Sequence, residues 1–386
     1  MISSFISDVL IVGAGQNGLA LACGLAQEGF SVQVIDRYLI KLVSAENSLR
    51  VSALTPGSLK WLEKLGINFN DFSFFKSMEI WESEKNLSDR LHLEAKSSEI
   101  YLGAISHNDL LQRALYQKAC ELGVSFKIAN PLEIERNSSS IKLITDQGVF
   151  ESELLIGADG AQSFVRELSG IKTVFKNYKQ KAIVAVIQTE KPHSQTAYQR
   201  FLPEGPLAFL PLKNSHQSSI VWSCSHKTAE KLMEEDLEMF EKKLASSFDL
   251  RLGRVSCLSE RQSFDLKHHH AERYISEKIV LIGDAAHVIH PLAGLGLNLG
   301  FKDGMVLINY LVKARNQKRA LGSWQMLSHY ERERKPHNLK ISLAMTGLND
   351  LFKNAWPEVS WARQQGLQWV EKSAWWKRFF LNEIES

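Results

Sequence analysis

Apolar positions change their period several times along this chain, and each change predicts an element. Residues 8–12 (DVLIV) run almost without polar interruption, as a parallel strand buried on both faces does. Small apolar residues follow in LALACGLAQE (19–28), which predicts a helix stopped by Gly29. Residues 31–35 return to a strand pattern that ends in Asp36. TPGSLKWLEKL (55–65) reads as a helix begun by Thr55 and Pro56 and ended by Gly66. Apolar residues at 110, 111, 114, 115 and 119 give helical spacing over 108–122. Strands with polar loops are expected over 78–103, and short strands at 124–128, 141–144 and 154–156. Residues 180–226 alternate strand-like segments with turns, and 228–249 predicts one charged amphipathic helix. Finally, residues 278–282 read as an apolar strand, followed by a Pro/Gly turn and a helix starting near Gly296.

Two of these junctions carry chemistry. The strand at 8–12 runs into Gly13-Ala14-Gly15-Gln16-Asn17-Gly18 and then a helix, with Asp36 closing the next strand. In that layout Gly13 makes the turn, Gly15 admits a pyrophosphate, Gly18 lets helix touch strand, and Asp36 can bond a ribose hydroxyl. The strand at 278–282 ends in Gly283-Asp284, and glycines recur at 294, 296 and 300. This places one carboxylate at a strand end and free backbone N–H groups a few residues later. A flavin needs both, for its ribityl hydroxyls and for the ring edge that gains negative charge on reduction. A purely structural glycine turn would have no need of the carboxylate. The two motifs are so far apart in sequence that one cofactor domain must be assembled from discontinuous segments, giving an α/β fold with β-rich portions between.

A third motif, GADGAQSFVR (157–166), follows the strand ending at Ile156. With Gly13/Gly15/Gly18 and Gly283-Asp284 it resembles the signature of single-component FAD aromatic hydroxylases, the p-hydroxybenzoate hydroxylase-like class. YQRFLPEGPLAFLPL (198–212), HAERYISEKIVLIGDAAH (270–287) and YERERKPHN (330–338) are similar to its ubiquinone-biosynthesis branch. The resemblance runs from residue 6 to residue 350, with a fainter echo at 363–367. It implies a Rossmann-like FAD-binding domain (1–75, 104–175, 276–330), a β-sheet substrate domain (76–103, 176–275) and a C-terminal helical region (331–386). By resemblance, Gly13, Gly15 and Gly18 would cradle the FAD pyrophosphate and Asp36 the adenosine ribose. Arg50, in R-x-S-A-L, and Asn108 would reach the cofactor from other segments. Asp159, with Gly160 beside it, would sit near FAD and the transient NADH or NADPH. Asp284 would take the ribityl chain, with Pro291, Gly294, Gly296 and Asn298 lining the isoalloxazine. Two departures stand out: Leu295 replaces the usual Gln between glycines, and the F-P-L element is Phe264-Asp265-Leu266.

The activity this implies is hydroxylation of a polyprenylated phenol: NAD(P)H reduces FAD, O2 adds to the flavin, and the phenol ring takes the distal oxygen of the hydroperoxide. No second G-x-G-x-x-G follows a strand, so the nicotinamide is expected as a visitor. A same-fold hydroxylase of a small soluble aromatic and a non-catalytic flavin-binding assembly factor are the competing readings. A tryptophan-rich W-x-W-x-I-P element, the mark of the flavin halogenases, is not found.

Composition narrows the setting. With 386 residues, 44% hydrophobic and a net charge of +3, the chain can bury sizeable cores and gives no sign of a nucleic-acid partner. Four cysteines without C-x-x-C spacing suit reduced thiols, and no signal peptide or membrane span is read, so a cytoplasmic protein is expected. Tryptophans 356, 361, 369, 375 and 376 beside Lys372, Lys377 and Arg378 suit either an interfacial helix at the inner-membrane surface or packing against the body or a sister subunit. A quinone-biosynthesis complex is a further expected partner. His287 and His290 are read as hydrogen-bonding supports or as bases. His268-His269-His270 would make a poor chelate, because neighbouring residues of an extended segment face opposite ways.

Overall fold

The computed structural model describes residues 6–38, 49–82, 90–95, 100–289 and 294–353. Its elements begin with β1 (Ser7–Val12), α1 (Gln16–Gln27), β2 (Val32–Asp36), β3 (Val51–Leu54), α2 (Pro56–Lys64), β4 (Ser73–Phe75), β5 (Ser77–Trp81), β6 (Leu91–Glu94), β7 (Gly103–His107) and α3 (Asn108–Glu121). Next come β8 (Ser125–Ile128), β9 (Pro131–Arg136), β10 (Ile141–Thr145), β11 (Gly148–Gly157), α4 (Phe164–Leu168), β12 (Thr173–Thr189), β13 (Thr196–Leu202), β14 (Gly205–Pro211) and β15 (Gln217–Ser225). The others are α5 (His226–Glu234), α6 (Leu237–Ser247), β16 (Val255–Cys257), β17 (Gln262–Ala271), β18 (Ile275–Ser276), β19 (Ile279–Leu281), β20 (His287–Val288), α7 (Leu295–Asn316) and α8 (Trp324–Lys353).

The first sheet follows the order β18-β19-β11-β1-β2-β8, with β9 and β10 extending it from β11. β1 is parallel to both β2 and β11, and β19 is parallel to β11. Val9, Ile11, Leu154, Ile156 and Val280 are fully buried, which explains the unbroken apolar runs. The chain leaves β1 for β2 on one side, while β11 lies on the other. Strand order therefore reverses at β1, where open α/β sheets take their ligands.

The second sheet runs β20-β17-β12-β15-β14-β13-β5-β6, with β16 beside β12. One face packs Leu207, Phe209, Ile220 and Trp222 against Phe240 and Leu244 of α6. The other face meets the small sheet β3-β7-β4 through Phe75, Leu93, Leu102, Ile105 and Ala197.

One expectation is corrected. Residues 228–249 form two helices, because Glu235 is extended and Asp236 starts α6 by accepting the Met239 N–H at 2.8 Å. Phe264-Asp265-Leu266, the departure from F-P-L, lies in strand β17. α8 runs unbroken from Trp324 to Lys353 with Pro336 inside it. No helix among the described residues is long and apolar enough to cross a membrane. The four cysteines are free, and burial pushes the Cys23 thiol up to about 12.

Candidate active site

The far-apart motifs meet at the C-terminal ends of β1 and β11. Gly13 (φ +112°) lies so close to β11 that a Cβ there would stand 2.3 Å from the Ala158 carbonyl oxygen. A Cβ at Gly18 would stand 2.0 Å from the Gly13 oxygen. Both glycines are thus required by the protein's own backbone. Asn17 is wedged between Gly283 and Gly300, joining the first motif to the last. Asp36 accepts the Ala14 N–H at 2.6 Å, and Gln112 of α3 donates to the Ala14 carbonyl. Gln16 donates to the carbonyl of Asn108, whose side-chain oxygen accepts from Ser52. Arg50 is exposed beside them, its guanidinium 5.1 Å from the Phe264 ring centre. Of the residues singled out from sequence, Pro291 lies outside the described residues, as do His290 and the five C-terminal tryptophans.

Whether this cleft suits FAD is tested by what lines it. A Cβ built at Gly15, Gly160 or Gly296 would meet nothing within 4 Å, so these glycines face open space. The N-termini of α1 and α7 carry no side-chain cap and no acidic residue in the first turn. By contrast, Thr55, Ser163, Ser225 and Asp236 cap α2, α4, α5 and α6. Two helices therefore present unsatisfied N–H groups and positive dipole ends to the cleft, the chemistry a pyrophosphate and an electron-rich ring edge require. Asp284 is open to solvent contact yet ringed by protein at the cleft floor. Burial raises its carboxyl above the ordinary range, with His287 and Arg50 pulling the other way. The residues fit the cofactor.

Two of the expected contacts are committed elsewhere. Asn298 accepts from the Thr55 N–H at 2.9 Å and donates to the carbonyls of Ala53 and Gly294, so it shapes the ring site by holding its walls. Asp159 caps α4, accepting from Ser163, Phe164 and Val165. Burial raises its carboxyl, and those hydrogen bonds oppose the rise.

Behind Gly283 lies a polar cluster that sequence reasoning missed. Fully buried Asp303 accepts from the Gly283 N–H at 3.1 Å, from Arg334 Nε at 2.8 Å and from Asn338 Nδ2 at 3.0 Å. His287 Nε2 lies 2.6 Å from the same carboxylate, as a support rather than an exposed base. Burial alone would raise the Asp303 carboxyl; His287, Arg334 and the hydrogen bonds outweigh it and hold it far below the ordinary range. Two signals were present in the sequence: a carboxylate inside the mostly apolar stretch 297–312, and Arg334 with Asn338 one helical turn apart. Arg166 adds a second tie, donating to the carbonyls of Ala161 and Ala285.

The histidine run serves the same structure. His268 pairs with Ser342, His269 with the Asp284 carbonyl and His270 with Tyr274. Burial lowers both His269 and His270 to about 4, so they are neutral near pH 7.

Beside the cleft is a chamber between the second sheet and β3-β7-β4, with about 140 Å³ open to the centres of water molecules. Its walls include Val51, Met78, Leu93, Ala208 and Leu210, and it reaches Gly294 and Leu295 at the start of α7. No charged side chain lines it among the described residues. The two faces of strand β14 differ: Ala208 and Leu210 face the chamber, while Leu207 and Phe209 pack on the helices behind.

This geometry defines a flavoprotein with an apolar reaction chamber set against its cofactor cleft. Residues 7–342 match the family model described as "FAD binding domain". The chain is 33% identical to the 3-demethoxyubiquinol 3-hydroxylase of Escherichia coli strain K12, covering 96% of both chains. It is 31% identical to the human mitochondrial ubiquinone biosynthesis monooxygenase COQ6, over 94% of this chain and 89% of the relative. The crystal structure of p-nitrophenol 4-monooxygenase from Pseudomonas putida superposes with a TM-score of 0.79 at 16% identity, over 99% and 98% of the two chains, and so shares the fold. The chain belongs to the FAD binding domain family and, within it, to the ubiquinone-biosynthesis FAD-dependent aromatic hydroxylases. It is an FAD-dependent, NAD(P)H-using aromatic monooxygenase.

Proposed function

We propose that this chain hydroxylates the aromatic ring of a polyprenylated phenol in ubiquinone biosynthesis, with O2 and NAD(P)H as co-substrates. The observation that carries this reading is the chamber: mostly apolar and, among the described residues, without a cation to hold a carboxylate. A small aromatic acid would leave its charge unpaired there, at a cost of several kcal/mol. A non-catalytic assembly factor would have no use for a chamber joined to the ring end of the cleft.

Reduced FAD supplies the oxygen-activating chemistry; the protein's residues hold, orient and exclude water. The α1 N-terminus with Gly15 would take the pyrophosphate, and Asp36, Arg50, Asn108 and Asp284 would fix the rest of the cofactor. The uncapped α7 N-terminus at Gly294 would stabilise negative charge at the ring edge. Leu295, Leu210 and Met78 would keep water from the reacting centre. We assign cofactor binding to the first sheet and its helices, and substrate binding to the second sheet. A lipid-tailed phenol is drawn from a membrane, which places a cytoplasmic protein at the inner-membrane surface, alongside the other quinone-forming enzymes.

The test is turnover of the holoprotein with NADH or NADPH on a 2-prenylphenol and on hydroxybenzoic acids. A prenylphenol product one oxygen atom heavier is expected, and Ala208→Phe should lower its yield more than tenfold while FAD stays bound. Faster hydroxylation of the acids would overturn the reading.

A further inference from the structure

The chamber wall holds one feature that an apolar tail does not explain. Gln199 is 6% exposed, and its amide makes no hydrogen bond to protein among the described residues. Tyr198 borders the chamber while its ring packs on Trp81 and Phe248, and Arg200 points to the other face, pairing with Asp249 at 2.7 Å. Ala197, Gln199 and Phe201 occupy the face opposite to that of Arg200. Across the sheet, Gln199 stands opposite Ile80 and Ala208, and Ala208 stands opposite Val221, so its neighbours in register offer no polar side chain. The wall carries three hydroxyls besides this amide. Thr55 is hydrogen-bonded to Ser58, Tyr198 packs its ring on Trp81 and Phe248, and Ser223 sits on β15 one row further along from Gln199.

The amide faces the chamber's open space rather than being sealed in protein. A ligand that fills the chamber and displaces water there must meet its hydrogen-bonding demand or forgo about 1–3 kcal/mol. We infer that Gln199 is a positioning and specificity residue, whose amide hydrogen-bonds the phenolic oxygen of the substrate ring. The carboxamide accepts from a phenolic O–H and donates to a ring-borne oxygen, and it recognises a neutral phenol without demanding an anion. One such bond in an otherwise apolar site fixes the rotation of the ring and thereby which carbon is presented for hydroxylation. The inference deepens the proposed function and rests on it.

The experiment uses the FAD-loaded full chain and two probes that differ only in the hydroxyl, 2-prenylphenol and prenylbenzene, with binding read from the flavin fluorescence. Gln199→Met keeps the length and bulk of the side chain. It should lower the phenol-to-benzene affinity ratio about tenfold, the worth of one net hydrogen bond. Its melting temperature without ligand should equal or exceed that of the parent, because the amide makes no hydrogen bond to protein among the described residues. NAD(P)H oxidation should persist with more peroxide released per turnover. An unchanged affinity ratio, or a lower melting temperature with the ratio intact, overturns the assignment of Gln199 alone. Failure of the parent holoprotein to bind either probe overturns the proposed function as well.

Discussion

Behind the Gly283–Asp284 turn, Asp303 gathers Gly283, His287, Arg334 and Asn338 by directional contacts in complete burial, whereas the chamber wall is mostly apolar, with the Gln199 amide facing its open space. The first region is specified by directional bonds and tolerates almost no change. The second is specified by shape and leaves its polar demand for a ligand to meet. A cofactor that stays can be gripped by a rigid frame of directional bonds. A substrate that comes and goes is better served by an unsatisfied group in a greasy room.

The largest effect should come from breaking the frame. Asp303→Ala leaves Arg334 and His287 without their shared anion in a dry site and should cost about 3–5 kcal/mol, read by urea unfolding of the apoprotein. A loss within the error of the measurement would mean that the cluster is not structural.

A pair of glycine variants separates frame from ligand surface. Gly18→Ala drives a Cβ into the Gly13 carbonyl and should destabilise the apoprotein by about 1–3 kcal/mol. Gly15→Ala meets open space, so apoprotein stability should hold while FAD affinity falls at least tenfold. Equal effects of the two on apoprotein unfolding would erase the distinction.

The smallest effect is pH-dependent. The Asp284 carboxyl is raised in the folded protein, so the folded state binds its proton more tightly than the unfolded chain. Stability is therefore lost as pH rises from the ordinary carboxylate value, about 3.9, through the higher folded value. Asp284→Asn should raise the apoprotein melting temperature slightly at pH 7, lose that gain below about pH 4, and bind FAD more weakly. Asp303 has the opposite sign: its depressed value contributes stability above about pH 4 that disappears on acidification.

The glycine and aspartate motifs were legible because each reports a local backbone requirement: a turn at Gly13, an uncovered helix start at Gly294, a strand ending in Asp284. The Asp303 cluster was not, because its members are gathered from residues 283, 287, 303, 334 and 338 only after α7 and α8 have packed. The break at Asp236 hid inside a continuous amphipathic pattern, since a capping aspartate and a solvent-facing one look alike in sequence. Gln199 escaped for a similar reason. Strand alternation puts it on a face, but only the surrounding sheet shows that the face is a hollow.

α8 is anchored at two distant points, through Arg334 and Asn338 to Asp303 and through Phe352, which stacks on Phe201 at 3.7 Å. A helix turns by about 100° per residue, so inserting or deleting a single residue between these anchors would swing the Phe352 ring away from its partner. Substitutions along its outer side, where Leu343 and Leu351 are exposed, leave that phase untouched. The helix thus works as a ruler, free in its lettering and fixed in its length.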